Sequence, residues 1–431
     1  MSLDRLFICG QRRLKGTIAA SGSKNAALAV IAAALTVEGK CEISNVPAAT
    51  DIFVLVDILK ATGASVWLSP SGTLTVDATG PLTPKAPEQL VRMMRGSFYV
   101  AGALLGRMHR AEVALPGGCT IGARPVDFHI AGFRTLGANV RLVHGTMMAS
   151  ASRLRGARVY LDPRWCSVGA TINITMAAVR ARGTTIIENA SRDPDAVACA
   201  EFLMQAGADI EGVGTSTVTV HGVDGLKGTN FRIPGDRIEA GTFMAAGAIT
   251  GGDVTVEGVD AAHMERVLEV LDRMGLDVDA YDDRVRVRAC RRPRPIDLST
   301  APYPGFPTDL QPPFVALCSI AEGKSVLEEA IFEARLTYTG ELLRMGADIR
   351  SVDSTAIVTG VKNLSGARVK APDLRAGAAL ILAGLAAEGE TEIEGIECVD
   401  RGYVDIEHKL AKLGATITRV DIAQRARLKT A

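Results

Sequence analysis

The chain has 431 residues, of which 47% are hydrophobic and 22% are charged. This is the composition of a well-packed globular protein, and the length predicts two domains rather than one core. Basic and acidic residues number 48 each, which excludes a global field that would attract nucleic acid or an anionic membrane. The longest apolar runs, 26–35 and 376–387, are well short of the roughly 20 residues that cross a bilayer.

The eight cysteines are scattered along the chain, with no C-x-x-C pair and no metal-ligand spacing. Scattered thiols in a long chain indicate a reducing compartment. The first residues, Met-Ser-Leu-Asp-Arg, contain no apolar signal-peptide core. We therefore expect a soluble, cytoplasmic protein that binds neither nucleic acid nor a membrane.

A short phrase recurs six times along the chain. It consists of the end of a predicted helix, a glycine, and a β-branched residue that begins a strand three positions later. The glycines lie 68 to 74 residues apart, at positions 63, 137, 207, 275, 346 and 414. Each is placed to end a helix with a positive φ angle, which glycine adopts without strain.

Alanine-rich helices are predicted once in most of these repeats. They lie at 26–35, 169–180, 242–249, 313–320 and 375–386. Each precedes a glycine-containing turn and an alternating strand, whereas the second repeat shows only Leu104-Leu105-Gly106 at that place. Helices that are apolar nearly all round belong inside a domain. The pattern predicts an α/β fold of six units; a solenoid is the alternative, but its repeats usually have about 20–50 residues.

Residues 21–25, Ser-Gly-Ser-Lys-Asn, open the first alanine-rich helix. A capped helix N-terminus offers free backbone N–H groups to an anion, and Lys24 would strengthen such a site. The commoner arrangement is a capped helix with a solvated lysine, and this motif alone favours that interpretation. The segment does not match a Walker A loop.

The segment 115–129 places Cys119 behind a Pro-Gly-Gly turn, so the thiol is expected on a loop. Arg124 nearby can lower the pKa of a thiol and make it reactive, although a small buried cysteine is equally consistent with the pattern. His129 lies between apolar neighbours, which favours packing over catalysis. Cys166, beside Trp165, is interpreted as structural.

Three arginines, Arg335, Arg375 and Arg401, each follow a carboxylate within two positions. Surface ion pairs are the usual meaning of this pattern. Their comparable places in the fifth and sixth repeats, however, suit the binding of a doubly anionic substrate. Asp309 lies in a Pro/Gly loop before a buried helix, as a helix cap or as a catalytic base.

The segment 116–127 closely resembles the cysteine loop of the UDP-N-acetylglucosamine 1-carboxyvinyltransferase family, the enolpyruvyl transferases that open peptidoglycan synthesis. Further matches follow the family's order at 21–25, 94–95, 167–171, 236–242, 305–309, 373–375 and 400–402. The resemblance implies a two-domain inverted α/β barrel with three copies of a folding unit in each domain. The first, discontinuous domain would comprise residues 1–23 and 235–431, and the second, with the cysteine loop, residues 24–234.

The resemblance also implies a reaction. The 3-hydroxyl of UDP-N-acetylglucosamine attacks C2 of phosphoenolpyruvate, C3 is protonated, and phosphate is eliminated. Cys119 would be the acid and Asp309 the base. The residues that would bind phosphoenolpyruvate are Lys24, Asn25, Arg124, Arg375 and Arg401. Those that would bind the UDP-sugar are Arg95, Arg124, Pro125, Val126, Asp127, Phe128, Ser167, Val168, Gly169, Asp309 and Ile331. No metal or other cofactor is implied, and the oligomeric state is left open.

Two segments depart from the family pattern on the substrate side. Residues 162–167 contain Arg164 but lack the lysine that usually precedes Ser-Val-Gly, and residues 334–338 place Tyr338 where a histidine is usual. A paralogue that acts on another uridine nucleotide is therefore the first alternative. A non-catalytic UDP-sugar-binding homologue is the second, and the retained acidic, basic and thiol residues argue against it.

Overall fold

The computed structural model describes residues 4–117, 122 and 126–421. The chain divides into two compact units. The terminal unit contains residues 4–21 and 235–421 together with Gly122, and the inserted unit contains residues 22–117 and 126–234. Each unit has a hydrophobic core of its own.

Short strands make up much of both units. In chain order they are β1 (Asp4–Cys9), β2 (Lys15–Ala19), β3 (Lys40–Ser44), β4 (Ser65–Leu68), β5 (Leu74–Asp77), β6 (Arg110–Ala114), β7 (Asn139–Val143), β8 (Thr146–Ser150), β9 (Arg158–Tyr160), β10 (Thr184–Glu188), β11 (Asp209–Glu211), β12 (Thr217–His221), β13 (Asn230–Arg232), β14 (Asp253–Glu257), β15 (Asp277–Tyr281), β16 (Arg284–Arg288), β17 (Asp297–Ser299), β18 (Lys324–Glu328), β19 (Asp348–Val352), β20 (Thr355–Thr359), β21 (Arg368–Lys370), β22 (Glu390–Glu394) and β23 (Thr416–Asp421).

The α-helices between them are α1 (Lys24–Ala33), α2 (Thr50–Ala61), α3 (Glu88–Val91), α4 (Val100–Met108), α5 (Asp127–Thr135), α6 (Val168–Ala178), α7 (Pro194–Gln205), α8 (Arg237–Ile249), α9 (Glu265–Arg273), α10 (Gln311–Cys318), α11 (Thr339–Arg344), α12 (Leu374–Ala386) and α13 (Ile406–Lys412). Short 3₁₀ helices cover Ala34–Thr36, Arg95–Tyr99, Ala261–Met264, Thr308–Leu310, Arg335–Tyr338 and Ile396–Arg401. Among the described helices, none combines the length and the apolar character that crossing a bilayer requires.

Each unit contains three sheets in the part of the chain that the structure describes. Their strand orders are β13-β3-β5-β4, β6-β8-β7 and β11-β12-β10-β9 in the inserted unit, and β15-β16-β14-β2, β17-β18-β20-β19 and β21-β22-β1-β23 in the terminal unit. In every four-stranded sheet one edge strand pairs in parallel and the others pair antiparallel. In the three-stranded sheet, a single parallel bridge from Lys85 to Glu112 stands in place of that edge strand. The strand orders are linear, so the barrel arrangement stays a prediction.

The alanine-rich helices are buried along nearly their whole length, as predicted. They are α1 and α6 in the inserted unit and α8, α10 and α12 in the terminal unit. Small residues let such helices approach closely. In α4, for example, a Cβ at Gly102 would lie only 2.3 Å from the Asn173 carbonyl oxygen of α6. Helix α8 begins five residues earlier than predicted, because Asp236 accepts hydrogen bonds from the N–H groups of Ile238 and Glu239.

The six spaced glycines all have positive φ angles, between 80° and 104°, so this prediction is confirmed. In most repeats a second glycine turn follows the alanine-rich helix, but the second repeat lacks it. There α4 ends with His109 in the left-handed conformation, φ 56°. A non-glycine residue pays a modest strain there. The turn therefore forms with His109 in place of a glycine. The sequence pattern misses it because the pattern looks for the glycine.

Candidate active site

Asp309 is held by two buried arginines of the terminal unit. Its Oδ1 accepts a hydrogen bond from Arg335 Nη2 at 2.8 Å, and its Oδ2 accepts one from Arg375 Nε at 3.1 Å. The Arg375 Nη2 lies 3.0 Å from the same Oδ2. Only 2% and 3% of the two arginine side chains are exposed, against 28% of the aspartate. A buried guanidinium needs a paired charge, so this carboxylate serves both arginines.

The expectation of surface ion pairs is wrong for Arg335 and Arg375. Neither uses its sequence neighbour as the charge partner in these contacts: the Asp373 carboxylate instead accepts the backbone N–H of Arg375, at 2.8 Å, and caps α12. The alternative that Asp309 caps a helix is also wrong, because α10 begins without a side-chain cap. Asp309 therefore pairs with two arginines and does not cap α10.

The surroundings of Arg375 keep its guanidinium charged. Burial alone would lower the pKa of Arg375, but the charge of Asp309 raises it above its ordinary value. The guanidinium carbon lies 5.3 Å from the centre of the Tyr403 ring, and the Tyr403 hydroxyl is 2.8 Å from Thr242 Oγ1. The cation is therefore fixed in position as well as in charge.

Arg401 and Ile331 lie in the same unit. Arg401 is half-buried at the end of the 3₁₀ helix Ile396–Arg401, whose Asp400 is held by both terminal nitrogens of Arg419, at 2.6 and 2.9 Å. Ile331 is half-buried in the loop after β18, and its N–H donates to the buried carboxylate of Glu329 at 2.9 Å. Sequence reasoning missed Glu329. The period of two in β18, which points alternate residues inward, is the signal that would have found it.

Lys24 and Asn25 form the first turn of α1 in the inserted unit. Ser23 caps the helix, as predicted, by accepting the N–H of Ala26 at 3.3 Å. The expected solvated lysine is wrong: Lys24 is buried, and its Nζ lies 3.2 Å from the buried Asp51 carboxylate of α2. Desolvation of both groups strengthens their attraction, so the ammonium is held at the helix N-terminus.

A buried polar cluster joins three segments of the inserted unit. Asn173 of α6 bonds to His129 Nδ1 at 2.9 Å, donates to the Phe98 carbonyl at 3.3 Å, and accepts the N–H of Gly102 at 2.7 Å. The His129 ring packs edge-on against Phe98, which confirms that this histidine is a packing residue. Burial lowers the pKa of His129 to about 3, so the ring is neutral.

The predicted UDP-sugar residues of the inserted unit lie around this cluster, which we call the Asn173 cluster (Phe98, Gly102, His129 and Asn173). Arg95 starts the 3₁₀ helix that contains Phe98, and Ser167 caps α6, which contains Asn173. Val126 is buried, Asp127 is exposed, and Phe128 is half-buried beside His129. Val168 and Gly169 form the first turn of α6. A Cβ at Gly169 would lie 3.1 Å from His129 Cε1, a tight contact that the imidazole ring would have to relieve by a small shift.

The unusual segment 162–167 forms an exposed turn. Arg164 is 80% exposed, and its Nε donates to both carboxylate oxygens of Asp162, at 3.0 and 3.1 Å. This pairing lowers the pKa of Asp162 to about 2. The Cys166 thiol donates to the Pro163 carbonyl at 3.2 Å, a local contact in keeping with a structural role.

Three predicted site residues, Cys119, Arg124 and Pro125, lie outside the described residues. The remaining predicted residues fall into two groups, one in each unit. Within residues 4–117, 122 and 126–421, no group of three or more histidine, cysteine, aspartate or glutamate side chains is arranged to hold a metal ion.

Comparisons with known proteins agree with the resemblance. The family model described as EPSP synthase (3-phosphoshikimate 1-carboxyvinyltransferase) matches residues 8–410. A protein of Symbiobacterium thermophilum named UDP-N-acetylglucosamine 1-carboxyvinyltransferase 2 is 48% identical over 96% of this chain and 98% of its own length. One of Caldanaerobacter subterraneus subsp. tengcongensis, named UDP-N-acetylglucosamine 1-carboxyvinyltransferase 3, is 46% identical over 97% of this chain and 100% of its own.

Solved structures show the same fold. The enolpyruvyl transferase NikO from Streptomyces tendae superposes with a TM-score of 0.88 at 28% identity, covering 97% of this chain and 99% of that one. An EPSP synthase from Acinetobacter baumannii superposes with a TM-score of 0.75 at 20% identity, covering 97% and 100%. The α/β fold is therefore EPSP-synthase-like. The chain belongs to the EPSP synthase family, among the UDP-N-acetylglucosamine 1-carboxyvinyltransferases.

Proposed function

We propose that this protein transfers the enolpyruvyl group of phosphoenolpyruvate to the 3-hydroxyl of UDP-N-acetylglucosamine and releases phosphate. The observation that carries this proposal is the near-complete match to relatives with that name, at 46% and 48% identity over at least 96% of the chain. The enolpyruvyl transferase NikO, at 28% identity, is a more distant relative. Because the relatives at 46% and 48% identity are named for UDP-N-acetylglucosamine, action on a different uridine nucleotide is the less supported function.

The reaction has two steps that balance in atoms and protons. In the addition, the sugar O3 bonds to C2 of phosphoenolpyruvate, its proton passes to Asp309, and C3 takes a proton from the Cys119 thiol. In the elimination, C3 gives a proton back to the Cys119 thiolate, the C2–C3 double bond forms again, and the C2–O bond to phosphate breaks. The leaving phosphate takes the proton that Asp309 holds, so both side chains return to their starting states. The Cys119 thiol can also add across the double bond, with its sulfur bonding to C2 and its proton passing to C3, which gives a covalent adduct with phosphoenolpyruvate.

Cations are needed wherever anionic charge gathers in these steps. We assign Lys24, Asn25, Arg124, Arg375 and Arg401 to phosphoenolpyruvate. The geometry supports a positioning function for Lys24 and Arg375, because each is buried and anchored by a carboxylate at 3.0–3.2 Å. An anion that approaches Arg375 competes with Asp309 for the guanidinium, so binding of phosphoenolpyruvate would loosen the carboxylate that must accept the proton.

We assign the UDP-sugar to the residues around the Asn173 cluster and to two residues of the terminal unit. The first group contains Arg95, Val126, Asp127, Phe128, Ser167, Val168 and Gly169, and the second contains Asp309 and Ile331. Arg124 and Pro125, which lie outside the described residues, are assigned to the UDP-sugar from the family resemblance alone. Support for the first group comes from the hydrogen bonds within the neighbouring Asn173 cluster. They hold the segments that carry the described residues of this group, and a rigid support lowers the entropy that ligand binding costs.

We also infer that the two units are the two domains expected from the resemblance, each with three copies of one folding unit. The recurrent sheet, with one parallel edge strand and antiparallel pairs beyond it, supports this inference. So do the six glycines with positive φ at the helix ends. The inverted barrel is the arrangement that the family resemblance implies for these copies.

Phosphate release tests the function directly. The purified full-length protein is incubated with phosphoenolpyruvate and, separately, with UDP-N-acetylglucosamine, UDP-glucose or uridine diphosphate, and inorganic phosphate is measured. We expect acceptor-dependent phosphate release with UDP-N-acetylglucosamine, together with a product whose mass contains one added enolpyruvyl group. Release only with another uridine nucleotide would establish the paralogue, and binding without release from any acceptor would establish a non-catalytic protein.

A further inference from the structure

Glu329 is a buried carboxylate with four hydrogen-bond donors, and it belongs to neither group of assigned site residues. Only 2% of the residue is exposed. Its Oε1 accepts from Thr300 Oγ1 at 3.0 Å, from the Ile331 N–H at 2.9 Å and from the Phe332 N–H at 3.1 Å. Its Oε2 accepts from Thr308 Oγ1 at 2.9 Å. The two oxygens therefore contact two different segments.

One segment is the loop 330–332, which carries Ile331. Thr300 Oγ1, itself a donor to Glu329, accepts the N–H of Ala330 at 2.9 Å. Three consecutive backbone N–H groups of this loop are thus bound by the same two side chains. This leaves the loop little freedom, because each of those donors would lose its partner if the backbone moved.

The other segment is the turn that carries Asp309. Thr308 donates its hydroxyl to Glu329, and its carbonyl accepts from Arg335 Nη2 at 3.1 Å. The same Nη2 donates to Asp309 at 2.8 Å. Glu329 and Arg335 therefore hold Thr308 from opposite ends of the residue, directly beside the assigned base.

Burial of the Glu329 carboxylate has a cost in stability. Desolvation raises the pKa of Glu329, whereas its hydrogen bonds and the charge of Arg335 lower it. An apolar residue would avoid this desolvation penalty but would leave four donors without an acceptor, so the carboxylate is what the two loops require. A single carboxylate that orders two loops at once has a clear use in an active site, where reacting groups must be held in place.

We propose that Glu329 is a positioning residue for enolpyruvyl transfer, which fixes the Ile331 loop and the Thr308–Asp309 turn relative to each other. This inference rests on the proposed function. Glu329 acts through Thr308 on the base and through the backbone of residues 331 and 332 on the bound sugar. It contacts neither reacting group itself.

The substitution Glu329→Gln tests this inference, with Glu328→Gln as the matched control. Glu328 is the exposed neighbour at the end of β18, so the control removes one carboxylate without touching the buried contacts. The amide keeps one acceptor oxygen for the backbone N–H groups and turns its NH2 group towards Thr308, whose hydroxyl must then accept instead of donate. The contact is reversed and loses its charge, which loosens the turn. We expect kcat to fall about 10- to 100-fold and KM for UDP-N-acetylglucosamine to rise, because misplacement by roughly 1 Å can cost about 100-fold. The control should match the wild type.

A double-mutant cycle with Thr308→Val separates positioning from a merely structural role. If Glu329 acts through Thr308, kcat of the double variant should lie within about 2-fold of kcat of Glu329→Gln, because both changes disturb the same contact. The proposal would be overturned if the double variant lost kcat by the product of the two single losses. It would also be overturned if Glu329→Gln lowered the thermal midpoint but left kcat and KM unchanged. If Glu329→Gln does not fold, Thr308→Val alone carries the test, and an unchanged kcat would overturn it. A wild-type protein inactive with UDP-N-acetylglucosamine would instead refute the proposed function.

Discussion

The pairing of Asp309 with two buried arginines makes Asp309→Asn the most informative substitution in this protein. Asparagine has nearly the same shape as aspartate, so the change removes the charge and the basicity without opening a cavity. We expect kcat to fall about 100- to 10,000-fold, the usual contribution of a positioned general base. Binding of UDP-N-acetylglucosamine, measured by calorimetry, should weaken much less.

The same substitution should also destabilise the terminal unit. Arg335 and Arg375 are 2% and 3% exposed and would lose their shared carboxylate. Removing one partner of a buried ion pair typically costs about 3–5 kcal/mol, and because Asp309 is 28% exposed we expect the lower limit, about 3 kcal/mol. For a unit of this size that corresponds to a fall in the thermal midpoint of about 6–12 °C.

The chain offers a matched control in Asp253→Asn. Asp253 is also 28% exposed and also accepts two hydrogen bonds from one arginine, Arg286, at 2.7 and 2.8 Å. Arg286, however, is 42% exposed and regains water when its partner is removed, so the loss of stability should be smaller. Asp253 lies on β14, away from the assigned residues of the site, and turnover should not change.

Phosphate-release kinetics and thermal unfolding of the three proteins decide the matter. If Asp309→Asn keeps kcat within 3-fold of the wild type, Asp309 is not the base. If its midpoint falls no further than that of Asp253→Asn, the two guanidinium groups do not depend on Asp309 for their stability. Either result would refute the corresponding part of the reasoning.

Three further predictions concern the thiol and the inserted unit. Cys119→Ser should lower kcat and change the pH dependence of kcat. Fosfomycin should inactivate the wild type in a UDP-sugar-dependent way but should not inactivate Cys119→Ser. Full activity of Cys119→Ser with an unchanged pH profile would exclude the thiol as the acid. Asn173→Leu should cost about 1–3 kcal/mol, measured by thermal unfolding, because the Gly102 N–H and His129 lose their buried partner; an unchanged midpoint would contradict this. His129 has a folded pKa of about 3 against an ordinary value of 6.5, so it contributes stability above pH 6.5 that is lost as the pH falls towards 3. The slope from this residue is at most about 1.4 kcal/mol per pH unit, and His129→Gln should remove it from urea unfolding measured between pH 7 and 5; equal slopes in the two proteins would contradict the burial argument.

Local physical rules account for what the sequence predicted well. The positive φ of the six glycines and the burial of the alanine-rich helices depend on short stretches of chain, and both are confirmed. Even the repeat without its glycine turn keeps the geometry, through His109. Predicted boundaries shifted at Asp236, because a helix cap depends on one side chain that periodicity does not detect.

Long-range charge pairing could not be predicted in the same way. The partners of Lys24 and Asp309 lie 26 or more residues away in the chain, and the sequence offered nearer charges for the same arginines. Frequency favours an exposed pair for any arginine beside a carboxylate. Burial reverses that preference, and burial of a charged side chain is decided by the packing of distant segments. The site therefore emerged from motif resemblance rather than from local pattern.

The partner of Arg164 in the altered segment 162–167 could not be predicted from the sequence either, although here the pair is local and exposed. This segment has Arg164 but lacks the lysine that the family usually has before Ser-Val-Gly, and an arginine can replace the charge of that lysine but not its reach. In the structure its guanidinium faces Asp162, two residues away, and 80% of the side chain is exposed. A guanidinium already neutralised by a neighbouring carboxylate attracts a phosphate far less than a free one. Affinity for the nucleotide phosphates must then come chiefly from other groups. Arg164→Ala should accordingly leave KM for UDP-N-acetylglucosamine within about 2-fold of the wild type, since an exposed pair contributes little. A tenfold rise in KM would show that Arg164 leaves Asp162 to bind the substrate.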